Sequence, residues 1–325
     1  MSDPSSSSAP SIGSIGSIVS DTYNDRSKGF LPTVTGSNAE LDRFLRVVTN
    51  RNTFGTRLNV RTFGCRQPRD IPQFVHRPHG LEWNERDQPS ILWRGEIPLR
   101  PEAIIPVRNH PKVGSILYFG ANHQSRLPSD DVRRLEHSLL GRVMDMPRKA
   151  PREDLHVEIL SRRPSDRDVA DIVGIYVDRY TTYLTPFTEE SVRGMAAGSQ
   201  VVVVRDAHGR IASICVSEIA HIPVPNAPPI HFVEISDAAT RKDCEGQGMY
   251  TAAKAESIRF IRQANPDAVI TTEARANSIG VLRSNVNLGM RVAGRQLAHC
   301  VISAKSNEDV AQTSRYGNLV VFYVP

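Results

Sequence analysis

The sequence predicts an α/β (α+β) fold in which a mixed central sheet is flanked by helices, and three observations lead to this fold class. From residue 155 onward, short apolar runs rich in Val and Ile alternate with segments of helical periodicity. Two of these runs, at 200–205 and 211–219, flank an Asp-Ala-His-Gly turn typical of an antiparallel hairpin. A third run, at 230–239, precedes a glycine-containing loop and then a helical segment, which is the order of elements in many α/β proteins.

The remaining elements of the second half follow from the same patterns. Ser165 stands where a helix N-cap belongs, and apolar residues then recur at helical spacing. The predicted order is strand 156–160, helix 165–180, helix 188–197, strands 200–205, 211–219 and 230–239, helix 249–262, strand 268–272, helix 277–288, and strands 290–303 and 318–324.

The first half of the chain is less regular. Residues 1–35 are rich in Ser, Gly and Pro and are expected to form a disordered tail. Residues 36–151 are predicted to form a smaller α/β region of unassigned role, with helices at 39–48 and 130–144 and strands at 58–63, 91–93 and 116–119. The proline-containing segment 147–152 is predicted to be a linker to a second domain at 152–325.

Composition excludes several classes of function. The 325 residues carry a formal net charge of +5, which is mild for this length and compatible with an anionic coenzyme. The arginines of the first half are not interleaved with stacking aromatics, so nucleic acid is not an expected partner. The four cysteines are widely spaced, so neither a metal site nor a disulfide framework is predicted. No signal peptide or membrane-spanning apolar run is apparent, so we expect a soluble cytoplasmic protein without a membrane partner.

The glycine loop at 241–248 predicts an anion site. Backbone N–H groups at a helix N-terminus and the positive end of the helix dipole together favour a bound anion. Glycines suit such a loop, because a side chain would block close approach of the backbone to the ligand. We therefore predict a phosphate or pyrophosphate near Gly246, Gln247 and Gly248.

Two carboxylates lie in the apolar run 230–239. Strict strand alternation places Glu234 and Asp237 on opposite faces. A buried carboxylate is costly without a partner, so each one either pairs with a core arginine or has a role in a site. His231 shares the parity of Asp237 and Cys244 lacks an evident histidine partner, so both rank below Glu234 as candidate chemical groups.

The order of elements, with a glycine loop directly after the fourth strand, resembles the GNAT superfamily of N-acetyltransferases over about residues 155–325. The family signature is Arg or Gln, two residues, Gly, one residue, then Gly or Ala. The matching positions are Glu245, Gly248 and Tyr250, with Gly246 in the usual additional glycine position. The stretches 234–240, 274–280 and 287–290 are similar to the β-lysine and amino-acid acetyltransferase branch.

The resemblance implies an acyl-CoA-dependent N-acyltransferase with acetyl-CoA or another acyl-CoA as cofactor. The acceptor would be a primary amine of a small, amino-acid-like molecule. The pantetheine arm would lie along the end of the fourth strand, and the loop N–H groups would hold the pyrophosphate. Asn277 would cap the next helix near the pantetheine. The implied coenzyme residues are Ala238, Ala239, Thr240, Glu245, Gly246, Gln247, Gly248, Met249, Tyr250 and Asn277.

The acceptor amine needs a base, because an alkyl ammonium has a pKa of about 10.4. Glu234, acting directly or through a water, is the predicted general base. Asp237 and Tyr183 are predicted to contact the acceptor, together with Tyr180 and Thr185 of the same loop.

Two departures from the family pattern affect the predicted site. Glu245 replaces the family's Arg or Gln, so it must point away from the phosphates, or Arg241 and Lys242 must supply positive charge. The tyrosine that often protonates the leaving thiolate is also absent, since four residues before Gly289 stands Asn285. Asn285, Ser284 or a water would replace it.

Two alternatives remain open. One is a catalytically degenerate acyl-CoA-binding sensor or scaffold, which the two departures motivate. The other is a protein or nucleic-acid modifier that docks through the arginine-rich first half.

Overall fold

The structure is a computed structural model that describes residues 19–25, 29–37, 57–63, 74–77, 80–83, 100–111, 113–122, 129–183, 187–224, 227–300, 303–304 and 317–325. The first region contains β1 Val19–Asp25, β2 Gly29–Ser37, β3 Arg57–Phe63, β4 Phe74–Arg77, β5 Gly80–Trp83, β6 Arg100–Pro106, β7 Ser115–Asn122 and α1 Asp130–Asp145. The rest contains β8 His156–Ile159, α2 Asp166–Arg179, β9 Tyr180–Thr182, α3 Glu189–Gly198, β10 Gln200–Arg205, β11 Ile211–Val224, β12 Ala227–Thr240, α4 Met249–Ala264, β13 Val269–Arg275, α5 Ile279–Asn287, β14 Arg291–Cys300, β15 Ser303–Ala304 and β16 Gly317–Tyr323.

One large mixed sheet organises the described residues. Its strand order is β1-β2-β3-β7-β6-β14-β16-β13-β12-β11-β10-β8. Strands β8, β10, β11 and β12 are antiparallel neighbours, β12 and β13 are parallel, and β16 lies antiparallel between β13 and β14. The predicted fold class, a mixed central sheet flanked by helices, is therefore confirmed.

Helices cover both faces of the sheet. Helices α2 and α3 pack on one face, where Val169, Ile172 and Tyr176 meet Val201 and Val203 of β10. Helix α4 packs on the opposite face, against a cluster that includes Val202, Val204, Ala253 and Ile261. Strand β10 is apolar at four successive positions because both of its faces are buried.

The pairing of β12 changes along its length. Its parallel pairing with β13 ends at Glu234 opposite Thr271. Its antiparallel pairing with β11 shifts register between Ile214 and Val216, and Asp237 has a φ of 43° at this bulge. The strand is therefore irregular at the position where it parts from β13.

The first region joins the second through this same sheet and through α1. Strand β6 bridges β14 where Ala103 faces Gly294. A Cβ on Gly294 would lie 2.0 Å from the carbonyl oxygen of Glu102, so a glycine is needed for this approach. On the α5 side, Leu139 and Val143 of α1 belong to one buried cluster with residues of α5, β14 and β16. The sheet and the core are thus continuous across the predicted boundary at residue 152.

Several predicted elements differ from those observed. Residues 1–35 were expected to lack structure, yet β1 and most of β2 lie within them and form an antiparallel pair. The prediction gave too much weight to the Ser- and Gly-rich composition of the first residues. It gave too little weight to the β-prone Thr, Tyr, Phe and Val positions of these two strands. The predicted helix at 39–48 and strand at 91–93 lie outside the described residues. The sequence analysis did not predict strand β9. None of the described helices is long and apolar enough to cross a membrane.

Candidate functional site

A cleft of about 470 Å³ opens where β12 and β13 part. The end of β12, the loop before α4, the first turns of α4 and α5, the end of α2 and the segment 149–152 all contribute to its walls. Its lining comprises Lys149, Ala150, Pro151, Arg152, Arg179, Tyr180, Ala238, Ala239, Thr240, Cys244, Glu245, Gly246, Gln247, Gly248, Met249, Tyr250, Thr251, Arg275, Ser278, Ile279, Gly280, Val281, Arg283, Ser284 and Asn287.

The N-terminus of α4 faces this cleft. Gly248 is the N-cap, with a φ of 78°, and Gly246 has a φ of 72°, a region that side chains other than glycine rarely adopt. No side chain of the described residues caps the helix at Gly248. The first N–H groups of α4 are therefore open to an anionic ligand, which is the geometry that the glycine loop predicted.

The cleft is strongly basic. Among the residues that the structure describes, its walls carry one carboxylate, Glu245, against five cationic side chains: Lys149, Arg152, Arg179, Arg275 and Arg283. A concave surface with this excess of one sign concentrates ligands of the opposite charge. The helix dipole of α4 adds to the same field.

Arg179 supplies the positive charge that offsets the Glu245 carboxylate beside the predicted phosphate site. This last residue of α2 is 7% exposed, and its Nη2 forms an ion pair with a carboxylate oxygen of Glu245. Its Nη1 is buried without a hydrogen-bond partner in the described part of the chain. The carboxylate charge is thus offset within the cleft wall, and an unsatisfied cationic donor lies beside it.

Neither alternative from the sequence analysis holds, because Glu245 lines the cleft and the positive charge beside it does not come from Arg241 or Lys242. Arg241 binds Asp206 at 2.8 Å and Asp243 at 2.6 Å, and Lys242 is exposed, so neither lines the cleft. Arg241 instead ties the glycine loop to the β10–β11 turn. The ion pair and two backbone N–H groups at the turn hold the pKa of Asp206 well below its usual range.

The segment 147–152, predicted to be a plain linker, forms a strap along the cleft wall between α5 and the loop before α4. Arg152 Nη1 donates to the carbonyl oxygen of Gln247 at 3.3 Å. The backbone N–H of Lys149 donates to Asn287 Oδ1 at 3.0 Å. Arg283 of α5 donates to the carbonyl oxygens of Val143 and Met146 at the end of α1. No local sequence pattern marks these contacts, because all of them join residues far apart in the chain.

The predicted pantetheine positions Ala238, Ala239 and Thr240 line the cleft, as do Met249 and Tyr250. Tyr180 donates its hydroxyl to the carbonyl oxygen of Ala238 at 2.7 Å, which fixes the bulge from the α2 side. The edge of β12 that faces β13 has no ladder partner beyond Glu234 among the described residues. An extended ligand would find backbone groups along that edge.

Asn277 does not have the predicted place. The N-cap of α5 is Ser278, and Asn277 is not among the cleft residues, whereas Ser278 is. The cause is a turn in which the N–H of Ser278 donates to the carbonyl oxygen of Arg275 at 3.1 Å, so the N-cap lies one residue later than predicted.

The predicted separation of Glu234 and Asp237 onto opposite faces was wrong. Strict alternation fails at the bulge, and the hydroxyl of Tyr183 donates to the Asp237 carboxylate. Burial raises the pKa of Asp237, and the charge of Glu234 raises it further. Glu234 also lies opposite Glu218 on β11 in the strand register. The carboxylates thus form one acidic neighbourhood outside the walls of the cleft.

Aromatic rings border this acidic neighbourhood. Tyr176 stacks on Phe187 with ring centroids 4.0 Å apart, and Tyr180 and Tyr183 pack against the same ring. Tyr183 thus borders the Asp237 carboxylate, and its contact with an acceptor stays a prediction. Thr185 lies outside the described residues.

Asn285 is fully buried and does not line the cleft, whereas the adjacent Ser284 does. Its Oδ1 accepts a hydrogen bond from Lys254, a residue that the sequence analysis missed. Lys254 is 0% exposed, and burial lowers its pKa to about 7. The available signal was a lysine on the apolar face of α4, beside Ala253 and one turn after Tyr250.

Comparison with known proteins gives likeness in solved structures only: no family model and no curated protein matches the chain. The ribosomal-protein-S18-alanine N-acetyltransferase of Escherichia coli is 13% identical, with a TM-score of 0.39, over 53% of this chain and 93% of its own. NAA60 of Arabidopsis thaliana in complex with acetyl-CoA is 11% identical, with a TM-score of 0.41, over 52% of this chain and 97% of its own. A SpeG spermidine N-acetyltransferase mutant of Vibrio cholerae is 12% identical, with a TM-score of 0.40, over 53% of this chain and 94% of its own. The acetyltransferase activities named here are those of the compared proteins. The function of this chain is argued below from its own residues.

Proposed function

We propose that the chain is an acyl-CoA-dependent N-acyltransferase that moves an acetyl or other acyl group to a primary amine. One observation carries the proposal. An uncapped helix N-terminus, a basic wall and the part of β12 beyond its ladder with β13 all meet in one cleft. That combination fits a ligand with a polyanionic head and an amide-containing arm.

The residues present fit coenzyme A. The N–H groups at Gly246, Gly248 and the start of α4 would hold the pyrophosphate, with Arg152 and Arg179 beside it. The unsatisfied buried Nη1 of Arg179 supports an anionic or carbonyl partner there, because buried polar groups in proteins are normally hydrogen-bonded. Ala238, Ala239 and Thr240 would bind the pantetheine arm along the strand edge. When bound, acyl-CoA supplies the activated thioester.

The acidic neighbourhood fits an acceptor that carries a positive charge. Glu218, Glu234 and Asp237 surround the bulge, and Tyr183 borders them. Glu234, directly or through one water, would take the proton from the acceptor ammonium and leave a nucleophilic amine. Asp237, whose carboxylate accepts a hydrogen bond from Tyr183, would orient the acceptor together with that residue. A small, amino-acid-like amine is the acceptor class that we propose.

Thermal unfolding with and without acetyl-CoA tests the coenzyme site, because a ligand that binds only the native state raises the melting temperature. We expect a rise in the wild type that is lost in Gly248→Trp. Gly209→Trp is the matched control, since Gly209 also has a positive φ, 73°, but lies in the β10–β11 turn away from the cleft. Loss of the rise in both variants, or its persistence in both, would contradict the assigned site.

Thiol release with a panel of small amines, diamines and amino acids tests the reaction. We expect amine-dependent release in the wild type and a fall of about 10²-fold or more in kcat for Glu234→Gln. Glu153→Gln, an exposed residue outside the cleft, serves as the control. Coenzyme binding without amine-dependent release from any amine would favour the scaffold alternative and overturn the transferase.

A further inference from the structure

Tyr250 and Lys254 lie one helical turn apart on α4, but Tyr250 lines the cleft and Lys254 lies in the protein interior. Tyr250 lines the cleft together with Ala238, Thr240 and Ser284. Lys254 lies behind it and is fully buried. Nothing in the proposed function yet uses Lys254, although an ionisable amine without solvent is costly to bury.

Lys254 Nζ makes three hydrogen bonds. It lies 3.1 Å from the Tyr250 hydroxyl and 3.0 Å from Thr272 Oγ1, and it also contacts Asn285 Oδ1. Thr272 gives its own proton to the carbonyl oxygen of Ile235 at 2.7 Å, and an amide oxygen only accepts. Lys254 is therefore the donor to Thr272 and Asn285. An ammonium would satisfy its three N–H groups on Thr272, Asn285 and Tyr250.

This arrangement constrains the direction of the Tyr250 proton. When the hydroxyl oxygen accepts from the lysine, its own proton can go either to Thr272, a side-chain hydrogen-bond neighbour of Tyr250, or to a group in the cleft. Burial raises the pKa of Tyr250 well above its usual value, so the phenol is protonated at neutral pH.

The charges around Lys254 are few. No carboxylate contacts Nζ within the residues that the structure describes, and burial lowers the pKa of this lysine to about 7. The nearby thiol of Cys215 on β11 has its pKa raised to about 12 by burial, so it stays neutral. Near neutral pH the lysine therefore exchanges between its charged and neutral forms.

We propose that Tyr250 is the general acid of the transfer reaction and that Lys254 is the positioning residue that restores its proton. The proposal rests on the proposed function and completes it, since Asn285 carries an amide that has no acidic proton to give. Asn285 and Thr272 instead hold the lysine in place.

Glu234 takes one proton from the acceptor ammonium, and the free amine nitrogen then forms a bond to the thioester carbon. The nitrogen releases a second proton to solvent as the amide forms, and the carbon–sulfur bond breaks with its electron pair on sulfur. Tyr250 gives its phenolic proton to that sulfur. Lys254, as an ammonium, gives a proton to the phenolate oxygen. Proton exchange with solvent, including the proton held on Glu234, returns Lys254 to its charged form.

Tyr250→Phe tests the acid directly. We expect kcat to fall about 10²-fold, with the Kd for CoA changed less than threefold in calorimetry. Tyr323→Phe, which removes the hydroxyl of a buried tyrosine on β16, should leave both values unchanged. An unchanged kcat in Tyr250→Phe, in an enzyme whose wild type transfers acyl groups, would overturn the assignment. An inactive wild type would instead reject the proposed function itself.

Lys254→Met tests the relay with a readout that does not need catalysis. The titration of Lys254 is followed by NMR on isotope-labelled lysine in the protein without coenzyme, and we expect a pKa near 7 that disappears in Lys254→Met. Spectroscopic titration of tyrosine should show a higher Tyr250 pKa in Lys254→Met, because a donor to the phenolate is lost. A lysine that titrates near 10, or a Tyr250 titration that Lys254→Met leaves unchanged, would overturn the relay.

Discussion

Arg179 at the end of α2 is paired with Glu245 in the loop before α4, and this ion pair forms part of the cleft wall. It explains how a carboxylate is tolerated in the wall of an otherwise basic cleft. The arginine offsets the carboxylate charge and keeps a second nitrogen, Nη1, buried and unsatisfied. The two residues are 66 positions apart, so their contact depends on the packing of α2 against the sheet.

Breaking this pair from the arginine side should weaken coenzyme binding. Arg179→Met removes the cation that pairs with the Glu245 carboxylate in the cleft wall, and hydrogen bonds to charged groups contribute about 1.5–3 kcal/mol. We expect the Kd for CoA to rise about 10–100-fold, measured by calorimetry at low and moderate salt.

The double variant serves as the control for this prediction. Arg179→Met/Glu245→Gln removes both charges and should recover much of the lost affinity, because the repulsion has gone. A double variant as weak as Arg179→Met would mean that Arg179 acts through its own contact with the ligand and not through Glu245.

The strap should contribute charge to the same ligand. Arg152 contacts the Gln247 carbonyl group at the N-terminal side of α4 and is also paired with Asp154. We expect Arg152→Ala to raise the Kd for CoA and to flatten its dependence on ionic strength, because one cation near the phosphates is removed. Arg167→Ala, on the exposed side of α2, is the matched control and should change neither quantity.

The sequence was informative where the structure depends on local patterns. Strand and helix periodicity, the Ser165 N-cap and the glycine loop all act over a few residues, and each of them is found in the structure. Three features depended on distant contacts instead. The bulge at Asp237 breaks the alternation on which strand parity relies, Arg179 meets Glu245 only after folding, and the strap gains its role from α1 packing on α5. Lys254 was missed because one lysine in an amphipathic helix is normally solvated.

The contact between the first region and the second should depend on Gly294. A Cβ at this position would lie 2.0 Å from the carbonyl oxygen of Glu102 and 2.6 Å from the Cα of Ala103, and backbone cannot move away as a side chain can. We expect Gly294→Ala to lower the free energy of unfolding by about 1–3 kcal/mol, as other overpacked sites do, measured by urea unfolding.

A second glycine provides the control for that substitution. Gly174 lies inside α2, and a Cβ there meets nothing within 4 Å. Gly174→Ala should stabilise the protein by up to about 1 kcal/mol through helix propensity. If both substitutions have the same effect, the approach of β6 to β14 is not limited by this glycine.

Lys254 should make stability depend on pH in a defined direction. Its pKa in the folded protein is about 7, against 10.5 for an ordinary lysine, so between these values the unfolded chain binds more protons. The free energy of unfolding should therefore rise as the pH is raised from about 7 to about 10, at up to about 1.4 kcal/mol for each unit of pKa difference. Below pH 7 both states are protonated, so the contribution of this group is constant.

The comparison of two lysine variants isolates this term from the other groups that titrate in the same range. Lys254→Met should lose the rise above pH 7, whereas Lys242→Met, at an exposed position, should keep it. Urea unfolding at a series of pH values gives both curves. A parallel pH dependence in the wild type and in Lys254→Met would mean that the buried amine keeps an ordinary pKa. In that case, the lysine stays charged throughout the neutral range, and its proposed exchange of protons with Tyr250 loses its physical basis.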